Sequence, residues 1–191
     1  MAIALMISPA CLLWGSIILA FDEPTPATIP LTYTGMSVAG VAGMAFTRDV
    51  RLFRTSQLLA ILLLPFLLTA SLGGFVSGSA VILWSSLCPL GAMLSVGRRQ
   101  AIIWFFAFLG LLAISVALGP FARSGNNLPT AVVIAFVAMN ISGVSAVAFV
   151  LLRYFIKQLE QEREKSERLL LNVLPREIAT VLKEDGRTIV D

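Results

Sequence analysis

The chain has 191 residues, 58% of them hydrophobic and only 13% charged, which is too little polar surface to cover a water-soluble core of that size. Its formal charge of +3 does not point to nucleic acid, because the basic residues stand in short loops between apolar runs, where membrane topology places them. Histidine is absent, and the two cysteines, Cys11 and Cys88, both lie within apolar runs, so the commonest general base is missing and the thiols read as packing groups.

A membrane-crossing helix needs about twenty predominantly apolar residues, and six stretches qualify. The first, residues 2–21, ends at Asp22-Glu23-Pro24-Thr25-Pro26. The second, 29–46, ends at Arg48, Arg51 and Arg54. The third, 57–75, leads through a Gly- and Ser-rich turn into the fourth, 80–96, which Arg98 and Arg99 close. The fifth, 101–118, is followed by a polar loop containing Gly125-Asn126-Asn127, and the sixth is 130–152. The expected fold class is all-α, a polytopic membrane protein of six helices over residues 1–152. The third-to-fourth connection is the weakest link, and a re-entrant hairpin there would leave the sides unchanged.

Arg48, Arg51, Arg54, Arg98 and Arg99 fall on one side together with the charged tail, whereas the other side carries Asp22, Glu23 and a lone Arg123. The positive-inside rule then puts both termini in the cytoplasm of a cell bounded by this inner (plasma) membrane. Met1 enters an apolar run with no basic segment ahead of it and no small-residue cleavage site behind it, so a removable signal peptide is not expected. The abrupt start instead suggests that a native cytoplasmic segment is missing.

In lipid, helices associate through small residues and interhelical hydrogen bonds. Gly35, Ala39 and Gly43 form a small-residue stripe on the second span, and Ala138, Ser142 and Ala146 form another on the sixth. Packing within the bundle is the default expectation for both, and a dimer interface through the sixth span is the sharper alternative. Pro9, Pro65 and Pro89 lie inside spans, where they shape a bundle more often than they line a cavity. Asn140 is the most polar side chain deep in any span, and its default role is an interhelical hydrogen bond, with contact to an unknown membrane-side ligand as the alternative. No span carries a charge, which argues against a pump or proton-coupled transporter.

From Leu152 the pattern turns amphipathic. Leu152, Ile156, Leu159, Arg163, Ser166, Leu170 and Val173 recur at spacings of four and three, the seam of a parallel coiled coil, flanked by Lys157, Glu160, Glu162, Glu164, Lys165, Glu167 and Arg168. Arg163 and Ser166 cost stability at the middle of that seam but can fix its register or make it switchable. A solvated helix without a partner is the plainer reading. No proline or glycine occurs from Val144 to Leu174, so one rod running from the start of the sixth span into the cytoplasm, roughly 65 Å long at 1.5 Å per residue, is expected, with residues 153–174 as a cytoplasmic transducer. Pro175 stops it and opens a short helix within residues 175–191.

The stretch Ser166-Glu167-Arg168-Leu169-Leu170-Leu171-Asn172-Val173-Leu174-Pro175-Arg176-Glu177-Ile178-Ala179-Thr180-Val181-Leu182-Lys183 resembles the segment just ahead of the catalytic domain in class III nucleotidyl cyclases. Asn172, Leu174, Pro175, Ile178, Ala179, Leu182 and Lys183 match that pattern over about twenty-five residues. Six spans followed by this segment resemble bacterial membrane adenylyl cyclases of the mycobacterial type. The resemblance implies a homodimer whose catalytic domains convert ATP to 3′,5′-cyclic AMP and diphosphate with two magnesium or manganese ions. The family's metal-binding aspartates and base-selecting residues match nothing before Asp191, so this chain is expected to be silent on its own, with no cofactor of its own. The resemblance assigns coupling to Arg163, Ser166, Asn172 and Pro175, and dimer contact to Leu159, Leu170 and Val173. The input domain of a sensor kinase or diguanylate cyclase is the alternative, and a transporter or channel is a more distant one.

Overall fold

A computed structural model describes residues 2–47, 50–121 and 126–173. They are all-α, with no strand among the described residues, and divide into two compact units, Met1–Leu151 and Leu152–Asp191.

The first unit opens with an antiparallel hairpin of α1 (Ala2–Ala20) and α2 (Pro24–Thr47). Asp22 takes the left-handed conformation at φ 59°, and Glu23 N–H then donates back to the Ile18 carbonyl at 3.3 Å, closing the helix end as a glycine ordinarily would. Pro24 begins α2 at the position where a missing N–H costs nothing. The second helix therefore starts five residues earlier than the span expected from Ile29. The two helices approach closely at Gly15, where a Cβ would stand 2.7 Å from Leu31 Cγ.

Helix α3 (Val50–Ser71) lies at the centre and buries Phe53, Gln57, Leu58, Ile61, Leu62 and Leu68. Phe53 fits against Gly40 of α2, where a Cβ would be 2.9 Å from the ring. The helix stops at Ser71, short of the expected Phe75, because Gly73 and Gly74 turn the chain at φ 103° and 88°. A single turn, α4 (Gly74–Ser77), follows.

The fourth stretch is not one regular span. After left-handed Ser79 and Ala80 (φ 53° and 59°), the chain runs as a 3₁₀ helix over Val81–Ser86 and only then as α5 (Leu87–Ser95). Its tight eclipsed turns are tolerated at membrane depth only where protein surrounds them. That condition is met: Val81, Ile82, Ser85, Leu87, Cys88 and Ala92 are all buried. Ser85 Oγ donates to the Leu62 carbonyl at 2.9 Å and Cys88 Sγ to the Leu58 carbonyl at 3.3 Å, fastening the segment to α3.

Gly97, at φ 107°, leads into α6 (Arg98–Leu118), which buries only Ala101 and Ser115. It turns Ile102, Ile103, Phe106 and Val116 outward, an exposed apolar surface of the kind that marks a membrane or protein contact. A 3₁₀ turn (Gly119–Phe121) precedes α7 (Thr130–Val173). Among the described residues, three helices are long and apolar enough to cross a membrane: Val50–Ser71, Arg98–Leu118 and the helix over Thr130–Leu169. The apolar parts Ile7–Ala20 and Val81–Ser95 are shorter.

Three connections gather at one end of the unit. Glu23 Oε1 accepts the Asn127 N–H at 2.9 Å, and Asn126 Nδ2 donates to the carbonyls of Leu72 at 2.8 Å and Ser77 at 3.3 Å. Where α3 starts and α5 ends, the Arg54 guanidinium donates to the Ser95 carbonyl.

In the second unit, the side chains from Leu152 to Leu169 are exposed. Lys165 pairs with Glu162 at 2.9 Å on that surface, a contact worth a few tenths of a kcal/mol, about 0.2–0.5, in a solvated helix.

Candidate functional site

Within the first unit, α7 is held by two aromatic residues that come from different elements. Phe136 stacks on Trp14 of α1 with ring centroids 4.9 Å apart and planes within 5°. One turn further on, Asn140 is fully buried and bonded at both ends of its amide. Trp84 Nε1 donates to Asn140 Oδ1 at 2.8 Å, and Asn140 Nδ2 donates to the Ser79 carbonyl at 2.6 Å. An indole N–H can only donate and a carbonyl can only accept, so the amide has one workable orientation.

Gly143 completes this grip. A Cβ there would meet Trp84 Cζ2 at 3.0 Å, so the absence of a side chain lets the indole lie against α7. The Ser79 carbonyl that Asn140 takes belongs to the left-handed pair Ser79–Ala80, a conformation that costs roughly 1–2 kcal/mol per non-glycine residue. Asn140 therefore joins three things: the aromatic floor of the 3₁₀ segment, a strained turn, and α7. Below it, Val147 and Leu151 enter the same core as Leu58, Ile61, Leu87 and Cys88.

A cleft adjoins these contacts. It is lined by α1, α2 and α3 and by Val81 and Trp84, and encloses about 490 Å³ not filled by protein atoms, part of it open to the surroundings. Trp14 and Trp84 line it while also touching α7. An occupant would thus bear directly on both aromatic contacts to that helix.

The expected site residues fall into three groups. Asn140 makes the interhelical hydrogen bonds that its position predicts. Gly35 and Gly43 do not pack inside the bundle: a Cβ on either would meet nothing within 4 Å, and among the described glycines the close approaches are at Gly15, Gly40, Gly78 and Gly143 instead. Their stripe points away from the neighbouring helices because α2 turns Tyr33, Ser37 and Gly40 toward α1 and α3. Ser142 is likewise exposed, with Ala138 and Ala146, on the side of α7 opposite Asn140. Leu159, Arg163 and Ser166 are exposed along the second unit. The helix backbone includes Leu170, Asn172 and Val173, whereas Pro175 lies outside the described residues.

Sequence reasoning missed Trp14, Trp84, Phe136, Gly143 and Ser79. A signal for Trp84 existed, since a tryptophan N–H placed in an apolar run needs an acceptor, and Asn140 is the most polar side chain deep in any span. No family model matches this chain, and neither a curated protein nor a solved structure is similar to it at the level required for a match.

Proposed function

We propose that the chain is the membrane-embedded input and coupling region of a class III adenylyl cyclase, working as a homodimer in the plasma (inner) membrane with both termini cytoplasmic. The observation that carries this reading is α7. Its first part is gripped by Trp14 and Trp84, and its helical assignment continues without a break to Val173, next to the Leu174-Pro175 of the pre-catalytic motif. A helix of this kind can pass a rotation or register shift from one element to another.

Six crossings are supported by the grouping of connections. The turns at Glu23, at Leu72–Ser77 and at Asn126–Asn127 are hydrogen-bonded to one another, as alternating passes through one layer require. The exposed Ala138, Ser142 and Ala146 stripe on α7 and the seam at Leu159, Arg163, Ser166, Leu170 and Val173 are the surfaces assigned to the second copy. The two metal ions and the nucleotide belong to the catalytic domain that the motif implies, not to residues of this chain.

The test is the full-length parent in membranes of a cyclase-free host, supplied with ATP and manganese. Cyclic AMP should form. One alanine inserted after Glu164 turns the following helix by about 100° and should change turnover, whereas a seven-residue insertion should restore it. Phosphotransfer or a cyclic dinucleotide product would assign the chain to a sensor kinase or diguanylate cyclase instead. Absence of any cyclic nucleotide product would overturn the proposal.

A further inference from the structure

Two residues that line the cleft between α1, α2 and α3 each carry a buried polar atom with no hydrogen-bond partner, Trp14 Nε1 and Tyr33 Oη. The two residues are 4% and 3% exposed. Ser37 stands one turn along α2 from Tyr33. Its own hydroxyl hydrogen, however, goes to Gln57 Oε1 at 3.3 Å, and Tyr33 Oη meets no atom in hydrogen-bond geometry. A buried donor left without an acceptor costs more than a typical hydrogen bond returns, and lipid offers no water to relieve it.

Trp14 comes from α1 and Tyr33 from α2, the two helices of the hairpin. The remaining lining is apolar: Ile7, Ile29, Ile61, Leu64 and Leu68 among others. No charged side chain lines the cleft, so a charged ligand would be buried unpaired there.

We infer that this cleft binds an uncharged, mainly apolar molecule bearing a carbonyl oxygen, which takes hydrogen bonds from Trp14 and Tyr33. A carbonyl oxygen has two lone pairs and no proton to place, which suits an indole N–H and a phenol O–H together. Because Trp14 also stacks on Phe136 and Trp84 also bonds Asn140, the occupant is positioned to bias α7. The cleft would then be the input of the coupling region proposed above, but binding itself does not depend on what α7 drives.

The test uses the whole chain in lipid nanodiscs, without any catalytic domain, so its failure is separate from failure of the cyclase assay. Benzophenone is photoactivated and its crosslinks are mapped by peptide mass spectrometry, in competition with 9-fluorenone or with fluorene, which has the same shape and no carbonyl. Saturable crosslinks should fall on α1, α2 and α3 at the cleft. Fluorenone should compete at about three- to tenfold lower concentration than fluorene, the margin of one or two hydrogen bonds. Trp14→Phe keeps a ring against Phe136 and should narrow that margin, as should Tyr33→Phe, with fluorene itself unaffected. Equal competition by the two compounds would show a slot for hydrocarbon tails and overturn the inference. So would crosslinks that do not saturate, or a margin unchanged in both variants.

Discussion

Trp84 donates its indole hydrogen to Asn140 across 56 positions of the chain, at 2.8 Å, and Asn140 passes its own hydrogen to the Ser79 carbonyl. This relay ties the Val81–Ser86 3₁₀ segment to the helix that leads toward the tail. Its members have separable chemistry, so substitutions can cut it at chosen points.

Asn140→Leu removes both bonds and leaves the Trp84 N–H and the Ser79 carbonyl buried without partners. The expected loss is about 1–3 kcal/mol, read as a lower Tm of the purified chain in detergent. Asn140→Asp retains the acceptor for Trp84 but sets an oxygen against the Ser79 carbonyl, and should be no better than leucine. A Tm unchanged in both variants would remove Asn140 from the set of structural anchors.

Trp84→Phe keeps an aromatic ring beside Gly143 and deletes only the donor. Alone it should cost about 1–2 kcal/mol. Combined with Asn140→Leu, the two losses should fall short of their sum by at least about 0.5 kcal/mol, the coupling expected of residues in direct contact. Strict additivity in that double-mutant cycle would contradict the hydrogen bond.

Gly143→Val forces a side chain into the Trp84 ring and should destabilise by about 1–3 kcal/mol, the usual range for overpacking. Gly35→Ala and Gly43→Ala meet open space and should leave the monomer unchanged or raise its stability by up to about 1 kcal/mol through helix propensity. Thermal unfolding at low protein concentration separates the two cases.

Ala80→Gly relieves a left-handed alanine at φ 59°. The gain should be about 1 kcal/mol or less, since glycine also adds freedom to the unfolded chain. Ser79→Gly relieves the same strain and removes Ser79 Oγ, a buried oxygen without a hydrogen-bond partner, so it should stabilise at least as much. Destabilisation by both would mean that the turn depends on those side chains.

Arg163→Leu places an apolar residue in the seam between Leu159 and Leu170. If that seam joins two copies, the variant should shift the monomer–dimer equilibrium toward dimer, seen by analytical ultracentrifugation in detergent, and should change the activity of the full-length parent. Unchanged association together with unchanged turnover would count against a transducing role.

Hydropathy alone made the all-α architecture legible, because long apolar runs without charge have few other solutions in lipid. The role of Asn140 was legible for the same reason: one amide in an apolar helix must find partners. The break at Val81–Ser86 was not, since Val-Ile-Leu-Trp reads as a helix by period and only the left-handed turn at Ser79–Ala80 sets its 3₁₀ path. The glycine stripe misled because spacing names a face without naming what lies opposite it. Gly35, Ala39 and Gly43 share a face of α2, yet α3 meets the neighbouring face at Gly40. The cleft escaped sequence reading altogether, as its walls come from residues 7, 33, 61 and 84, which no periodicity connects.

The broken segment also bears on how the protein is made. Six residues of 3₁₀ helix and nine of α-helix fall short of the roughly twenty that partition into a bilayer alone. Ser85 and Cys88 find their acceptors on α3. If Val81–Ser95 crosses the membrane, as the proposed six-span topology has it, it would have to enter the lipid as a hairpin with α3 already beside it. A mutation that weakens α3 would then show first as failed insertion of its neighbour, before any folded protein exists to be destabilised.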